Sequence, residues 1–178
     1  MKTLLTTLNA KYIHTSLALR WLYVASKDSH DIDFKEYTIK DDVEYIATDI
    51  LNQGIDILGI GVYIWNVRQI KELVTILKTK NPNLIIILGG PEVSYETEFF
   101  LNTWNIDYII SGEAEFVLEE LIENIKNRED VTSPHVAHAN NLISQPAVAN
   151  IEKLEKLDSP YQLDRDKNLI PTKISYFE

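Results

Sequence analysis

The sequence predicts an α/β fold built on an open parallel sheet with helices on both faces, and three observations carry that expectation. Short dense apolar runs alternate five times with segments of helical spacing before residue 128. Two of those runs, "DILGIG" and "NLIIIL", are apolar without alternation, as strands covered on both faces require. All six glycines lie between Gly54 and Gly112, whereas Pro134, Pro146, Pro160 and Pro171 fall beyond the point where the rhythm stops. Consecutive βα units need right-handed crossovers, which place helices on the sheet's two sides.

The elements follow in order. "TLLTTL" (Thr3 to Leu8) reads as the first strand, and Leu17, Trp21, Val24 and Ala25 mark one face of the first helix. "IDFKEYTI" alternates like a strand near the sheet edge. Val43, Ile46, Ala47, Ile50 and Leu51 give the second helix, opened by a capping box from Asp41 to Glu44. "DILGIGVYI" is the third strand, followed by a helix carrying Ile70, Leu73, Val74 and Leu77. "NLIIIL" is the fourth strand, with a short helix around Phe99 to Leu101; "IDYII" is the fifth, and "FVLEELIENI" the fifth helix. Five strands fit the flavodoxin-like, doubly wound order 2-1-3-4-5 better than a six-stranded dinucleotide-binding order. Residues 1–128 are therefore expected to form the α/β domain, and 129–178 a small hairpin and a linker. In that tail "HVAHANNLIS" predicts two short strands around an Asn140–Asn141 turn.

Composition removes several functions. The formal net charge is −10 and no basic cluster is denser than "KTK", so nucleic acid is not an expected partner. No apolar run approaches the roughly 20 residues of a membrane helix, and "MKTLLTTLNAKY" is too weakly charged and too short in apolar residues for a signal peptide. A cytoplasmic location is expected. There is no Cys, so this chain offers no disulfide, thiolate metal site or iron–sulfur ligand.

Ligands of such sheets bind beyond the strands' carboxyl ends. The loops there are "NAKYIHTS", "YIWN", "GGPEVS" and "SGEAE". They lack the acids of a phosphoacceptor domain, the glycines of a flavin-phosphate or dinucleotide loop, and a nucleophile elbow. Gly59-Ile60-Gly61 lies inside a strand and does not read as a phosphate cradle. His135 and His138 would point to opposite faces of a strand, which argues against a metal site. Asn66 with Gln69, and Trp65 against Ile70, form either a capped and stapled helix start or a ligand contact. Glu113 and Glu115, with Ser111 as cap, suit the first turn of the fifth helix, where acids gain about 0.3–1 kcal/mol. The twin glycines Gly89 and Gly90 mark a close approach to the backbone.

Together "LGGPEVS", "DYIISGEAEFVLEEL" and "GVYIWN" resemble the amino-terminal B12-binding domain of cobalamin-type radical SAM proteins, such as anaerobic magnesium-protoporphyrin IX monomethyl ester cyclase. "LEKLDSPYQL" is similar to that family's linker, and "KISYFE" to the strand leading into its cysteine triad. The resemblance implies a cobalamin-binding module, not itself an enzyme, that presents the corrin to the protein's own radical SAM domain for methyl transfer or radical chemistry. It implies that this chain is a piece of a longer protein, with the 4Fe-4S cluster and S-adenosylmethionine bound only beyond Glu178. "NAKYIHTS" lacks D-x-H-x-x-G, so cobalamin is expected base-off with no protein His ligand. The implied contacts are Asn9, Tyr63, Ile64, Trp65, Asn66, Gly89, Gly90, Pro91, Glu92, Ser111, Gly112 and Glu113. The alternative is a docking domain of the same fold that holds no cofactor.

Overall fold

A computed structural model describes residues 1–167 of the chain. "KISYFE" lies outside the described residues. The elements run β1 (Lys2–Asn9), α1 (Leu17–Ser26), β2 (Asp31–Thr38), α2 (Val43–Leu51), β3 (Ile57–Gly61), α3 (Val67–Lys80), β4 (Ile85–Gly89), α4 (Thr97–Thr103), β5 (Tyr108–Ile110), α5 (Glu115–Asn127), β6 (Val136–His138) and α6 (Ile151–Leu154). The sheet order is β2-β1-β3-β4-β5-β6, parallel through β5 and antiparallel at β6. The doubly wound order is thus the one expected, extended by one strand. Among the described residues no helix is long and apolar enough to cross a membrane.

The expected hairpin is corrected. Only its first arm is a strand, and it pairs with β5 through Tyr108↔His138, Ile109↔Ala137 and Ile110↔Val136. Pairing there gives partners to backbone groups that a three-residue edge strand would otherwise leave open. After the turn, where His138 and Asn141 exchange backbone hydrogen bonds, the chain runs back along the end of β5. Ala147 N–H donates to Ser111 O, and Glu113 N–H to Ala147 O.

Capping also differs in detail. Asp42, not Asp41, caps α2 by accepting from Tyr45 N, while Asp41 accepts from the N–H and hydroxyl of Thr38 and closes the preceding turn. At the other end of the chain a 3₁₀ turn, Asp164–Asp166, packs on α1. The buried Arg20 guanidinium donates to both Asp166 oxygens at 2.6 and 3.0 Å and to Glu36 at 3.0 Å. Arg165 lies over the Phe34 ring and pairs with Asp33.

Strand alternation sorts side chains onto two faces. Leu4, Leu8, Leu58, Ile60, Ile86 and Leu88 pack against α2, α3 and α4 through residues such as Ile46, Leu73 and Phe100. Leu5, Ile57 and Ile87 face α1 and α5, where they meet Leu19, Leu118, Leu121 and Ile122. Gly59, Gly61 and Gly89 share the parity, and therefore the face, of this second set.

Candidate functional site

The glycines fall into register. Leu5, Gly59 and Ile87 are neighbours across β1, β3 and β4, and Thr7, Gly61 and Gly89 form the next row toward the carboxyl edge. Three of six positions in two adjacent rows carry no side chain, so the sheet floor is bare where α1 and α5 cross above it. The result is a cleft of about 410 Å³ whose walls include Ala18, Leu19 and Leu22 of α1 and Leu118 of α5. A Cβ on Gly89 would meet nothing closer than Ile110 O at 3.7 Å. Gly59 is tighter, its Cβ falling 2.7 Å from Leu5 Cδ2, so Leu5 lies down across it.

A second cleft of about 490 Å³ opens beside the first, bounded by Asn9, His14, Trp21, Tyr63 and Trp65. Ser16, Ala18, Tyr63 and Glu115 line both. Around these openings the carboxyl-edge loops expose large apolar groups: Tyr12 and Ile13 after β1, Ile64 (76% exposed) and Trp65 after β3, and Tyr95 (84%) after β4. Tyr63 and Trp65 stack with ring centroids 4.7 Å apart and 2° between planes. Exposed aromatic surface grouped at one edge marks a binding surface more than isolated apolar residues do.

The expected site residues separate into three groups. Asn9, Tyr63, Trp65, Gly89, Gly90, Pro91, Gly112 and Glu113 line one cleft or both. Ile64 and Glu92 line neither, Ile64 standing exposed at the tip of its loop and Glu92 half-buried. Asn66 and Ser111 are fully buried.

The cap reading of Asn66 is corrected. Its side chain makes no cap bond. Instead Oδ1 accepts from Tyr63 N at 2.9 Å, while Nδ2 lies 3.1–3.2 Å from Thr7 Oγ1, Leu8 O and Gly61 O. It pins the loop after β3 to the end of β1 and is occupied in doing so. Trp65 Nε1 donates to the same Leu8 carbonyl at 3.1 Å, which fixes the indole on the platform. Ser111 Oγ joins Ser144 Oγ at 2.6 Å and donates to Ser94 O at 3.2 Å; it ties loops together and does not cap α5, whose first cap position is Ala114.

The twin glycines divide between two jobs. Gly89 belongs to the cleft floor. Gly90 has φ +101°, and a Cβ there would sit 2.6 Å from Val62 O, so its bareness serves the chain's own turn. Gly112 is like Gly90: φ is +81° and a Cβ would fall 2.4 Å from Ala147 N and O. Asn9 organises the loop after β1, its Nδ2 donating to His14 O at 3.1 Å and Glu36 Oε1 at 2.9 Å. Glu113 Oε2 accepts from Ala149 N at 2.6 Å.

Two site features went unread in the sequence. Gly59 and Gly61 lie inside a strand, as the sequence indicates, and their i, i+2 spacing there puts both on one face. Glu115 was read only as an acid at a helix start. Burial pushes its carboxyl above the usual range, and Oε2 is buried with no hydrogen-bond partner among the described residues.

The fold and site define a doubly wound domain with a glycine-floored cleft and an aromatic platform at the carboxyl edge of its sheet. The B12-binding domain profile matches residues 3–122, and the chain belongs to that family. Over 137 residues it is 27% identical to 2-(S-pantetheinyl)-carbapenam-3-carboxylate methyltransferase of Streptantibioticus cattleyicolor, covering 74% of this chain and 20% of that protein. Over 113 residues it is 26% identical to the cobalamin-dependent radical SAM methyltransferase TokK of Streptomyces tokunonensis, covering 61% and 17%. The chain thus spans about a fifth of the length of these relatives. The radical S-adenosylmethionine methyltransferase TsrM of Kitasatospora setae, solved with cobalamin and a [4Fe-4S] cluster, superposes with a TM-score of 0.69 at 20% identity, over 84% of this chain and 30% of TsrM. The chain is a B12-binding domain resembling the cobalamin-binding modules of such enzymes.

Proposed function

We propose that this chain binds cobalamin base-off, with the nucleotide tail in the glycine-floored cleft and the corrin over the platform of Tyr63, Ile64 and Trp65. The observation that carries the proposal is the glycine row. Gly59, Gly61 and Gly89 line the cleft on one sheet face, Leu5 lying over Gly59 and the Tyr63 ring beside Gly61 while Gly89 stays open, and the neighbouring loops expose Tyr12, Ile64, Trp65 and Tyr95. A cradle that added Cβ atoms would fill, opening under a wide apolar edge, fits a group with a flat ring and a pendant tail.

Each residue has a part in holding that group. Gly89, Pro91, Leu19 and Leu118 exclude water from the tail. Trp65 and Tyr63 present a stacked pair to the ring from below, and Asn66 and the Leu8 carbonyl keep that pair in place. Asn9 shapes the loop after β1, and no imidazole is supplied as lower ligand. Cobalamin, when bound, supplies the methyl-transfer or radical chemistry, carried out with a radical SAM domain of the same protein that holds the 4Fe-4S cluster and S-adenosylmethionine. The segment through Ala147 completes the sheet edge and the rim of the cleft, and the chain beyond it leads toward that domain.

Hydroxocobalamin added to the purified chain should comigrate with it on gel filtration at one equivalent per chain. His14→Ala should leave the cobalt absorption spectrum unchanged. A spectral shift in that variant would contradict the absence of a protein ligand, and failure of the parent to retain colour would leave a docking domain as the better account.

A further inference from the structure

Four residues line both clefts, and of these only Glu115 has a buried side-chain oxygen with no hydrogen-bond partner among the described residues. Ala18 is apolar. Ser16 is committed: its N–H donates to Glu36 Oε1 at 2.5 Å, its carbonyl accepts from Arg20, and its hydroxyl accepts from Leu19 N. Tyr63 has its ring on Trp65 and its N–H on Asn66. Glu115 is different. It stands at the neck where the clefts meet, and its Oε2 has no hydrogen-bond partner among the described residues. Thr3 Oγ1 and Ser26 Oγ, the other buried atoms in that condition, line neither cleft.

An unpartnered buried oxygen is a cost to the free protein, so its place at this junction calls for an occupant. Resting on the cobalamin reading, we infer that Glu115 accepts a hydrogen bond from an uncharged O–H or N–H donor of bound cobalamin as the ligand passes from platform to cleft. Burial pushes the Glu115 carboxyl above the usual range, opposed by its own backbone N–H and aided less strongly by the charge of Glu113. Cobalamin carries suitable donors in two places, the ribose hydroxyls of the tail and the amides of the corrin rim.

The test is absorbance titration of the parent, Glu115→Gln and Glu115→Leu with hydroxocobalamin and with diaquocobinamide, which lacks the nucleotide, together with melting curves of the free proteins. Glu115→Gln keeps an acceptor oxygen and should bind within about threefold of the parent; Glu115→Leu should lose about tenfold or more. Free Glu115→Leu should melt no lower than the parent, because it removes an unpaired polar atom. Loss confined to hydroxocobalamin assigns the donor to the ribose, and equal loss with diaquocobinamide assigns it to a corrin amide. A Glu115→Leu protein that binds both ligands as tightly as the parent overturns the inference, as does a loss of affinity accompanied by a lower melting temperature. A parent that binds neither corrinoid overturns the cobalamin reading, and this inference with it.

Discussion

The two faces of the sheet are built from the same strands and do opposite work. Toward α2, α3 and α4 the strands present Leu4, Leu8, Leu58, Ile60, Ile86 and Leu88, all buried in one continuous core. Toward α1 and α5 the same strands pack a smaller core through Leu5, Ile57 and Ile87, and beside it Gly59, Gly61 and Gly89 border a cleft near the carboxyl edge. A buried Leu or Ile stabilises by about 1.5–3 kcal/mol, whereas a glycine within a strand costs about 0.5–1 kcal/mol. The filled face therefore offsets the open one comfortably. Period-two alternation lets a single chain segment carry stability on one side and a binding site on the other, with adjacent residues serving different ends.

Substitutions at adjacent residues can break that comparison. Leu58→Ala, on the filled face, should destabilise the fold by about 2–5 kcal/mol in urea unfolding while leaving cobalamin affinity per folded molecule unchanged. Gly90→Ala should cost about 1–3 kcal/mol, because Gly90 has φ +101° and a Cβ would strike Val62 O; its melting temperature and its binding should fall together. Gly59→Ala should change stability little but weaken binding about tenfold, since the new Cβ displaces the end of the Leu5 side chain, which lines the cleft.

The smallest expected effect is in pH dependence, where one carboxylate on each side has the opposite sign. On α2, Asp49 is held below the usual carboxylate range by Lys35 and then by the Tyr37 hydroxyl, each at 2.5 Å. Burial in turn keeps Tyr37 protonated well above the ordinary phenol range. Asp49 thus contributes stability that is present above its unfolded pKa and lost as pH falls through its depressed folded value. Glu115 is raised, so the free protein loses stability as pH rises from the unfolded value toward the folded one. In stability-versus-pH curves Asp49→Asn should flatten the acid-side loss, and Glu115→Gln should remove the loss above the usual glutamate range.

The five βα units were legible because dense apolar runs, or for β2 a period-two alternation, recur between segments of helical spacing. β6 was not legible as a sheet strand: three residues carry no period, and its place is set by the open edge of β5. Asp41 and Asp42 are both competent caps in sequence, and only the turn at Thr38 decides between them. The loops that would form the site were found from the rule of carboxyl ends, but the roles within them were not. Asn66 bonds Thr7 and Leu8, which are distant in the chain, so local pattern could not reveal its burial. Gly90 and Gly112 answer to Val62 and Ala147 for the same reason. The glycine row was readable in principle, since Gly59, Gly61 and Gly89 share a parity that becomes a common face once the strands are in register.

The most direct measurement of the central claim is hydroxocobalamin titration of Gly89→Val beside the parent, with circular dichroism of both. Gly89 has space for a side chain, 3.7 Å from its nearest neighbour, and that space is the cleft. The account predicts a folded Gly89→Val protein with affinity reduced at least about a hundredfold. A folded Gly89→Val protein that binds cobalamin as tightly as the parent would contradict it.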